Sequence, residues 1–241
     1  MEKYLFNNGE ELAEQLAKDF SAVVSEKAAS GELLTVALSG GHTPKTFFEI
    51  LADRYSDSIA WDKVVFFWGD ERCVPPDNDE SNFKMTNLAL LSKIDIPEGN
   101  IHRVHGEDPP HNEALRYEHE IREFIPPGAN GFPSFDWIFL GMGPDGHTAS
   151  LFPGAPTLEE REKVCVVATH PETGQKRVSV TFPVLDGAKR VSFLVAGDSK
   201  APVLKEIMES GGEPLPYPAS MVSPADGVLE LYLDKAAAPW L

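Results

Sequence analysis

The chain has 241 residues, within the range of one large α/β domain spanning residues 1–241, and its 42% hydrophobic content is ordinary for a globule with a sizeable core. A formal net charge of -17 argues against nucleic acid and anionic membrane surfaces as partners, and no run approaches the roughly 18 apolar residues of a membrane span. The first residues, Met1 to Asn7, lack an apolar signal core, which predicts a cytoplasmic protein; Cys73 and Cys165, the only cysteines, make no zinc site, and a disulfide is not expected in that compartment.

From Gly9 to Ala29, Leu12, Leu16, Phe20, Val23 and Val24 recur at helical spacing, and Gly31 stops the helix. Leu33 to Leu38 reads as a buried strand. It runs into Ser39-Gly40-Gly41-His42-Thr43-Pro44-Lys45 and a second helix, with Thr43 as the expected N-cap and Pro44 at the first helical position. A strand, a glycine-rich turn and a helix aim free backbone N–H groups and the positive helix end at one spot, which suits a phosphate. The loop lacks the G-x-x-x-x-G-K-[ST] pattern of a Walker A site.

Val64 to Trp68 is a second buried strand, ending in Gly69-Asp70-Glu71-Arg72-Cys73. Asp70, Glu71 and Arg72 stand directly after it, where open α/β sheets place ligands, and nothing nearby marks Cys73 as a nucleophile. Asp79 to Leu91 reads as a helix capped at Asp79 or Ser81, with Phe83, Leu88 and Leu91 inward. Ile101 to His105 reads as a strand; its spacing turns His102 and His105 to opposite faces, so they and His111 make no metal site. A helix from Asn112 to Phe124 and a Pro/Gly-rich connector from Pro126 to Pro133 follow.

Trp137 to Leu140 has no alternation, as expected of a strand buried on both faces. It breaks at Gly141-Met142-Gly143-Pro144-Asp145-Gly146-His147, which presents Asp145 and His147 at the carboxyl end of the strand. His147 is the expected site of chemistry, because imidazole ordinarily titrates near neutrality. Gly141, Gly143 and Gly146 satisfy G-x-G-x-x-G, but Phe152-Pro153-Gly154 breaks the helix that a dinucleotide site needs, so a nicotinamide-dependent dehydrogenase is disfavoured. Val164 to Val167 reads as a strand, Pro171 to Arg177 as a polar loop, and Val178 to Phe182 as an alternating strand. Val191 to Val195 is another buried strand, leading through Asp198-Ser199-Lys200-Ala201 into a helix that ends near Glu209. A lysine at a helix N-terminus opposes the helix dipole, and a bound anion at Lys200 would remove the conflict. Leu229 to Leu233 alternates as the last strand.

Ser39-Gly40-Gly41-His42-Thr43-Pro44, Gly69-Asp70-Glu71-Arg72 and Gly141-Met142-Gly143-Pro144-Asp145-Gly146-His147-Thr148-Ala149-Ser150-Leu151-Phe152-Pro153, in that order, resemble the 6-phosphogluconolactonase family. The likeness covers nearly the whole chain, including the Arg177 strand and the Lys200 turn. It implies a modified Rossmann-like fold, a mostly parallel sheet with helices on both faces. It also implies cofactor-free hydrolysis of the δ-lactone of 6-phosphogluconate, the second step of the oxidative pentose phosphate pathway. The related glucosamine-6-phosphate isomerase/deaminases share the SGGxTP loop but follow their acid with Glu-Tyr, where this chain has Glu71-Arg72. They also carry a glutamate five residues after the histidine, where this chain has Phe152. On this reading His147 is the general base and Asp145 orients it, while Arg72 meets the carbonyl or ring oxygen. Ser39, Gly40, Gly41, Thr43, Arg177 and Lys200 hold the 6-phosphate, and Asp70 and Glu71 support them. The expected partner is a sugar phosphate lactone, with the chain a monomer or small homo-oligomer. A non-catalytic sugar-phosphate-binding module is the alternative from another class; it would not need His147.

Overall fold

The computed structural model describes residues 1–241. The strands and helices in chain order are β1 (Glu2–Phe6), α1 (Gly9–Ser30), β2 (Leu34–Leu38), α2 (His42–Tyr55), β3 (Val64–Trp68), β4 (Asp70–Arg72), α3 (Asn82–Ala89) and α4 (Pro110–Phe124). Then come β5 (Trp137–Leu140), β6 (Cys165–Thr169), β7 (Lys176–Val180), α5 (Phe182–Asp186), β8 (Arg190–Val195), α6 (Ala201–Glu209), α7 (Pro218–Met221) and β9 (Val228–Asp234). Six strands form one sheet in the order β1-β9-β8-β5-β2-β3, and every neighbouring pair is parallel. β4, β7 and β6 form a small antiparallel sheet beside it.

The central strands lack hydrophobic alternation because both of their faces are covered. Val64, Phe66 and Trp68 of β3 and Trp137 and Phe139 of β5 pack with Leu12 and Phe20 of α1 and Phe47 of α2. Val65, Phe67, Ile138 and Leu140 point the other way, into a second core shared with Tyr117 and Ile121 of α4 and Val203 and Leu204 of α6. Helices on both faces of a parallel sheet match the expected fold class. From β2 the chain moves outward to β3, whereas from β5 it moves the opposite way through β8 to β9. The reversal between β2 and β5 opens a crevice at their carboxyl ends, where Ser39 and Gly141 begin their loops.

Several local expectations are corrected. α2 starts at His42, with Gly41 as its cap at φ 106°, so Thr43 does not cap it and Pro44 lies in the third helical position. Only glycine takes that φ without strain, which moves the helix start forward. Of the two proposed caps of α3, Ser81 is the one used: its Oγ accepts the Lys84 N–H at 3.1 Å. Leu88 is exposed rather than inward, because a helix of eight residues buries only a narrow stripe. Ile101 to His105 is irregular apart from one bridge of Ile101 to Phe66. β1 is an exposed edge strand whose sequence carries no alternation, and β4 is too short to be visible in a pattern. Lys176 and Arg177 are in β7 rather than a loop, and Phe182 opens α5 rather than ending a strand.

Candidate active site

The loops after β2, β5 and β8 converge on β4 and β7 around a cavity of about 330 Å³, a size suited to one small ligand. Ser39, Gly40, Gly41, Thr43, Asp70, Arg72, His147, Arg177 and Lys200, all foreseen as site residues, line it. Asp145 and Glu71 do not; each stands behind a residue that does.

On one wall, His147 Nδ1 lies 2.6 Å from Asp145 Oδ1. An ionised carboxylate only accepts, so Nδ1 carries a proton, and in the neutral ring the free lone pair is on Nε2. Partial burial works against the Asp145 charge, but the His147 ring and its hydrogen bonds outweigh it and hold the carboxyl below the usual range. The same oxygen also accepts the His147 backbone N–H at 3.2 Å, which fixes both partners in one tight turn. Gly143 is required here: a Cβ on it would collide with the His147 ring and with Asp145 Oδ1. Gly143 also donates its N–H to the His147 carbonyl at 2.9 Å, and the Thr148 hydroxyl donates to the Gly141 carbonyl at 2.8 Å, closing the loop. Ala149, at φ 47°, is the one non-glycine residue in the left-handed region and faces the cavity, so backbone strain is stored at the site.

The opposite wall is cationic. Arg72 and Arg177 are cross-strand partners in β4 and β7, and neither these two nor Lys200 makes an ion pair with a carboxylate. Arg72 Nη1 donates to the Glu80 carbonyl at 2.5 Å, Arg177 Nη1 to Ser150 Oγ at 3.4 Å, and Lys200 Nζ to Ser199 Oγ at 3.0 Å. Arg72 Nε and Arg177 Nε are buried without partners. Burial lowers the Arg177 guanidinium from its ordinary value; Asp70 opposes that shift and Arg72 adds to it. Beside these cations, the His42 and Thr43 N–H groups that open α2 have no intrahelical acceptors, while the Lys45 N–H is taken by the Gly41 carbonyl at 3.2 Å. Phe152 packs between the two walls, its ring 5.0 Å from that of His147 and 5.6 Å from the Arg177 guanidinium carbon.

Asp70 and Glu71 hold the walls together. Asp70 Oδ2 accepts from Ser150 Oγ at 2.6 Å, so Ser150 joins Asp70 to Arg177. The Glu71 carboxylate accepts the N–H groups of Arg72, Asn82 and Phe83 at 2.7, 2.8 and 2.7 Å, clamping the start of α3 to β4. Burial pushes the Glu71 carboxyl up from its ordinary value, against the pull of those three donors. The clamp brings Asn82 against Gly40, where any Cβ would meet the Asn82 amide. Asn82 and His42 line the cavity and were missed from sequence. The signal for Asn82 was its place just after the cap Ser81; His42 sits inside the loop already singled out.

Elsewhere, His105, Asp108 and Glu113 bring ligand-type atoms together, but Glu113 is already held by Arg116 through both oxygens at 2.6 Å. His102 is buried against Phe67 and paired with Glu120 at 2.8 Å, so it does not join them. No helix is long and apolar enough to cross a membrane.

The family model described as glucosamine-6-phosphate isomerases/6-phosphogluconolactonase matches residues 7–231. The chain is 49% identical over 203 residues to a 6-phosphogluconolactonase of Haemophilus influenzae, covering 84% of this chain and 85% of that one. Among solved structures it resembles one described as devB protein, with TM-score 0.93 and 45% identity over 99% of this chain and 98% of the other. It also resembles the 6-phosphogluconolactonase of Trypanosoma brucei, with TM-score 0.88 and 26% identity over 100% of this chain and 98% of that one. Matched over nearly its whole length, the chain belongs to the glucosamine-6-phosphate isomerase/6-phosphogluconolactonase family.

Proposed function

We propose that the chain hydrolyses 6-phospho-D-glucono-1,5-lactone to 6-phospho-D-gluconate as a cytoplasmic enzyme of the oxidative pentose phosphate pathway. The observation that carries this reading is one cavity shared by a carboxylate-held histidine and three basic side chains that pair with no carboxylate. Arg177, Lys200 and the N–H groups of the Ser39–Thr43 loop hold the 6-phosphate, which fixes the lactone carbonyl relative to His147. His147 Nε2 takes a proton as water attacks the carbonyl carbon, and Asp145 stabilises the imidazolium. Arg72 faces the oxyanion that develops. Collapse of the tetrahedral intermediate breaks the bond to the ring oxygen, and His147 returns the proton to that oxygen as it leaves. A general base contributes about 10²–10⁴ in rate, enough for an activated ester.

The family description also names isomerases, but deamination of glucosamine 6-phosphate is the weaker reading. The position five residues after His147 is Phe152, which is buried and apolar and relays no proton. The ligand class is a small phosphosugar, and the acidic surface disfavours nucleic acid and membranes. The chain functions as a monomer or small homo-oligomer.

The deciding assay compares fresh 6-phosphoglucono-δ-lactone with unphosphorylated gluconolactone at low temperature and mildly acidic pH, with ammonia release from glucosamine 6-phosphate run in parallel. Fast hydrolysis confined to the phosphorylated lactone is expected. Ammonia release without lactone hydrolysis would overturn the assignment.

A further inference from the structure

Asn82 is 3% exposed, and the little it exposes faces the cavity. Its amide is oriented by the protein. Nδ2 donates to the Asp70 carbonyl at 2.9 Å, while the backbone N–H of the same residue is held by Glu71 at 2.8 Å. Oδ1 therefore points away from Asp70, lying over Gly40, and accepts no hydrogen bond from the protein. It is not sealed in the core either, since Asn82 lines the cavity.

That placement is unusual in its surroundings. Arg72, Arg177, Lys200 and the loop N–H groups are donors, fitted to phosphate and oxyanion. Asp70 is an acceptor but carries charge, and Ser150 already occupies one of its oxygens. Asn82 Oδ1 is a fixed, neutral acceptor, able to take a hydrogen bond without repelling the phosphate. On a lactone whose phosphate, carbonyl and ring oxygens accept, the remaining donors are the ring hydroxyls.

We propose that Asn82 is a specificity-determining residue that accepts a hydrogen bond from one ring hydroxyl of the substrate. This rests on the lactonase reading above and adds to it which neutral group reads the sugar. A site built to bond a hydroxyl discriminates strongly against the analogue lacking it, because the buried acceptor is then left unpaired.

The test measures kcat/KM of the wild-type chain and of Asn82→Ala on 6-phosphogluconolactone and on its 2-deoxy, 3-deoxy and 4-deoxy counterparts. The wild type is expected to lose roughly 10- to 100-fold on one deoxy lactone. Asn82→Ala is expected to lose a similar factor on the parent lactone and to treat that deoxy lactone as the wild type does, so the ratio between the two substrates collapses toward one. Asn82→Asp keeps an acceptor and should retain the ratio while lowering turnover of both. Asn82→Leu, which keeps the volume, replaces alanine if that variant unfolds. Equal losses on all four lactones would reduce Asn82 to a packing role and overturn the proposal. Wild-type indifference to all three deoxy lactones would overturn it without any variant. A wild type inactive on the parent lactone would instead defeat the functional assignment itself.

Discussion

Arg72 and Arg177 stand directly opposite each other across the antiparallel pair β4–β7, on one face, with no carboxylate paired to either guanidinium. Like charges at such a cross-strand position destabilise a sheet unless something of opposite charge lies between them. The protein places two arginines where, without ligand, they cost stability, and leaves an Nε of each without a protein acceptor. An anion in the cavity relieves the repulsion between the two guanidinium groups.

Inorganic phosphate or 6-phosphogluconate should therefore raise the melting temperature. Arg177→Gln and Lys200→Ala should each blunt that rise and raise KM by about 10- to 100-fold, with a smaller effect on kcat. Thermal shift titrations and initial rates check this. An unchanged KM in both variants would remove the phosphate anchor.

His147→Ala should lower kcat by about 10²–10⁴ while leaving phosphate-induced stabilisation intact. Asp145→Asn should cost roughly 10²-fold or more, because an amide N–H facing Nδ1 selects the tautomer that protonates Nε2. Continuous acid-release assays separate these losses from binding. Near-full turnover by His147→Ala would place the base elsewhere.

Thiol reagents should leave activity unchanged at pH 8. Burial first, and then Glu71 and Glu113, push the half-buried Cys73 thiol up to about 11, so only ~10⁻³ of it is thiolate at that pH. Cys165 is fully buried, with its thiol raised well above the ordinary value by the same desolvation. Residual activity and mass-spectrometric labelling after iodoacetamide treatment test both statements; rapid inactivation by labelling at Cys73 would contradict them.

Asp136→Asn should destabilise the fold by about 1–3 kcal/mol, or a few degrees in melting temperature. One carboxylate oxygen of Asp136 accepts from the backbone N–H and hydroxyl of Thr35, both at 3.0 Å, and the other meets Lys189 at 2.8 Å and Lys27 at 3.1 Å. Burial works against this carboxylate, but these partners together hold it below the usual range. A depressed folded-state value stabilises fully above the unfolded carboxylate range, near pH 4, and the benefit fades as pH falls through the lower folded value. The gap between wild type and Asp136→Asn should hold steady from pH 6 to 8 and narrow below about pH 4. A gap that widened on acidification would exclude this role.

Where burial or a backbone constraint acts on neighbours in sequence, the chain was legible. The unbroken apolar runs of β3 and β5 announced strands covered on both faces, and the polar residues ending them announced the crevice. The Gly143–His147 turn is so local that Asp145 and His147 could be paired from spacing two apart. Failures came where a distant partner decided the outcome. β1 has no pattern of its own; it exists because β9 offers an open edge. β4 became a strand, and Arg72 came to face Arg177, because β7 folds back over a hundred residues later.

The sequence alone determined the parallel α/β sheet and the crevice loops, because each depends on periodicity or on glycine within a few residues, and with the family resemblance it named nine of the nineteen residues that line the cavity. Tertiary structure alone decided which of the foreseen site residues line the cavity and which stand behind. Glu71 turns from the cavity to clamp α3, and Asn82, carried in by that clamp, takes a place no local pattern could assign. Such placements come from hydrogen bonds between segments that only folding brings together, and no short-range rule encodes them.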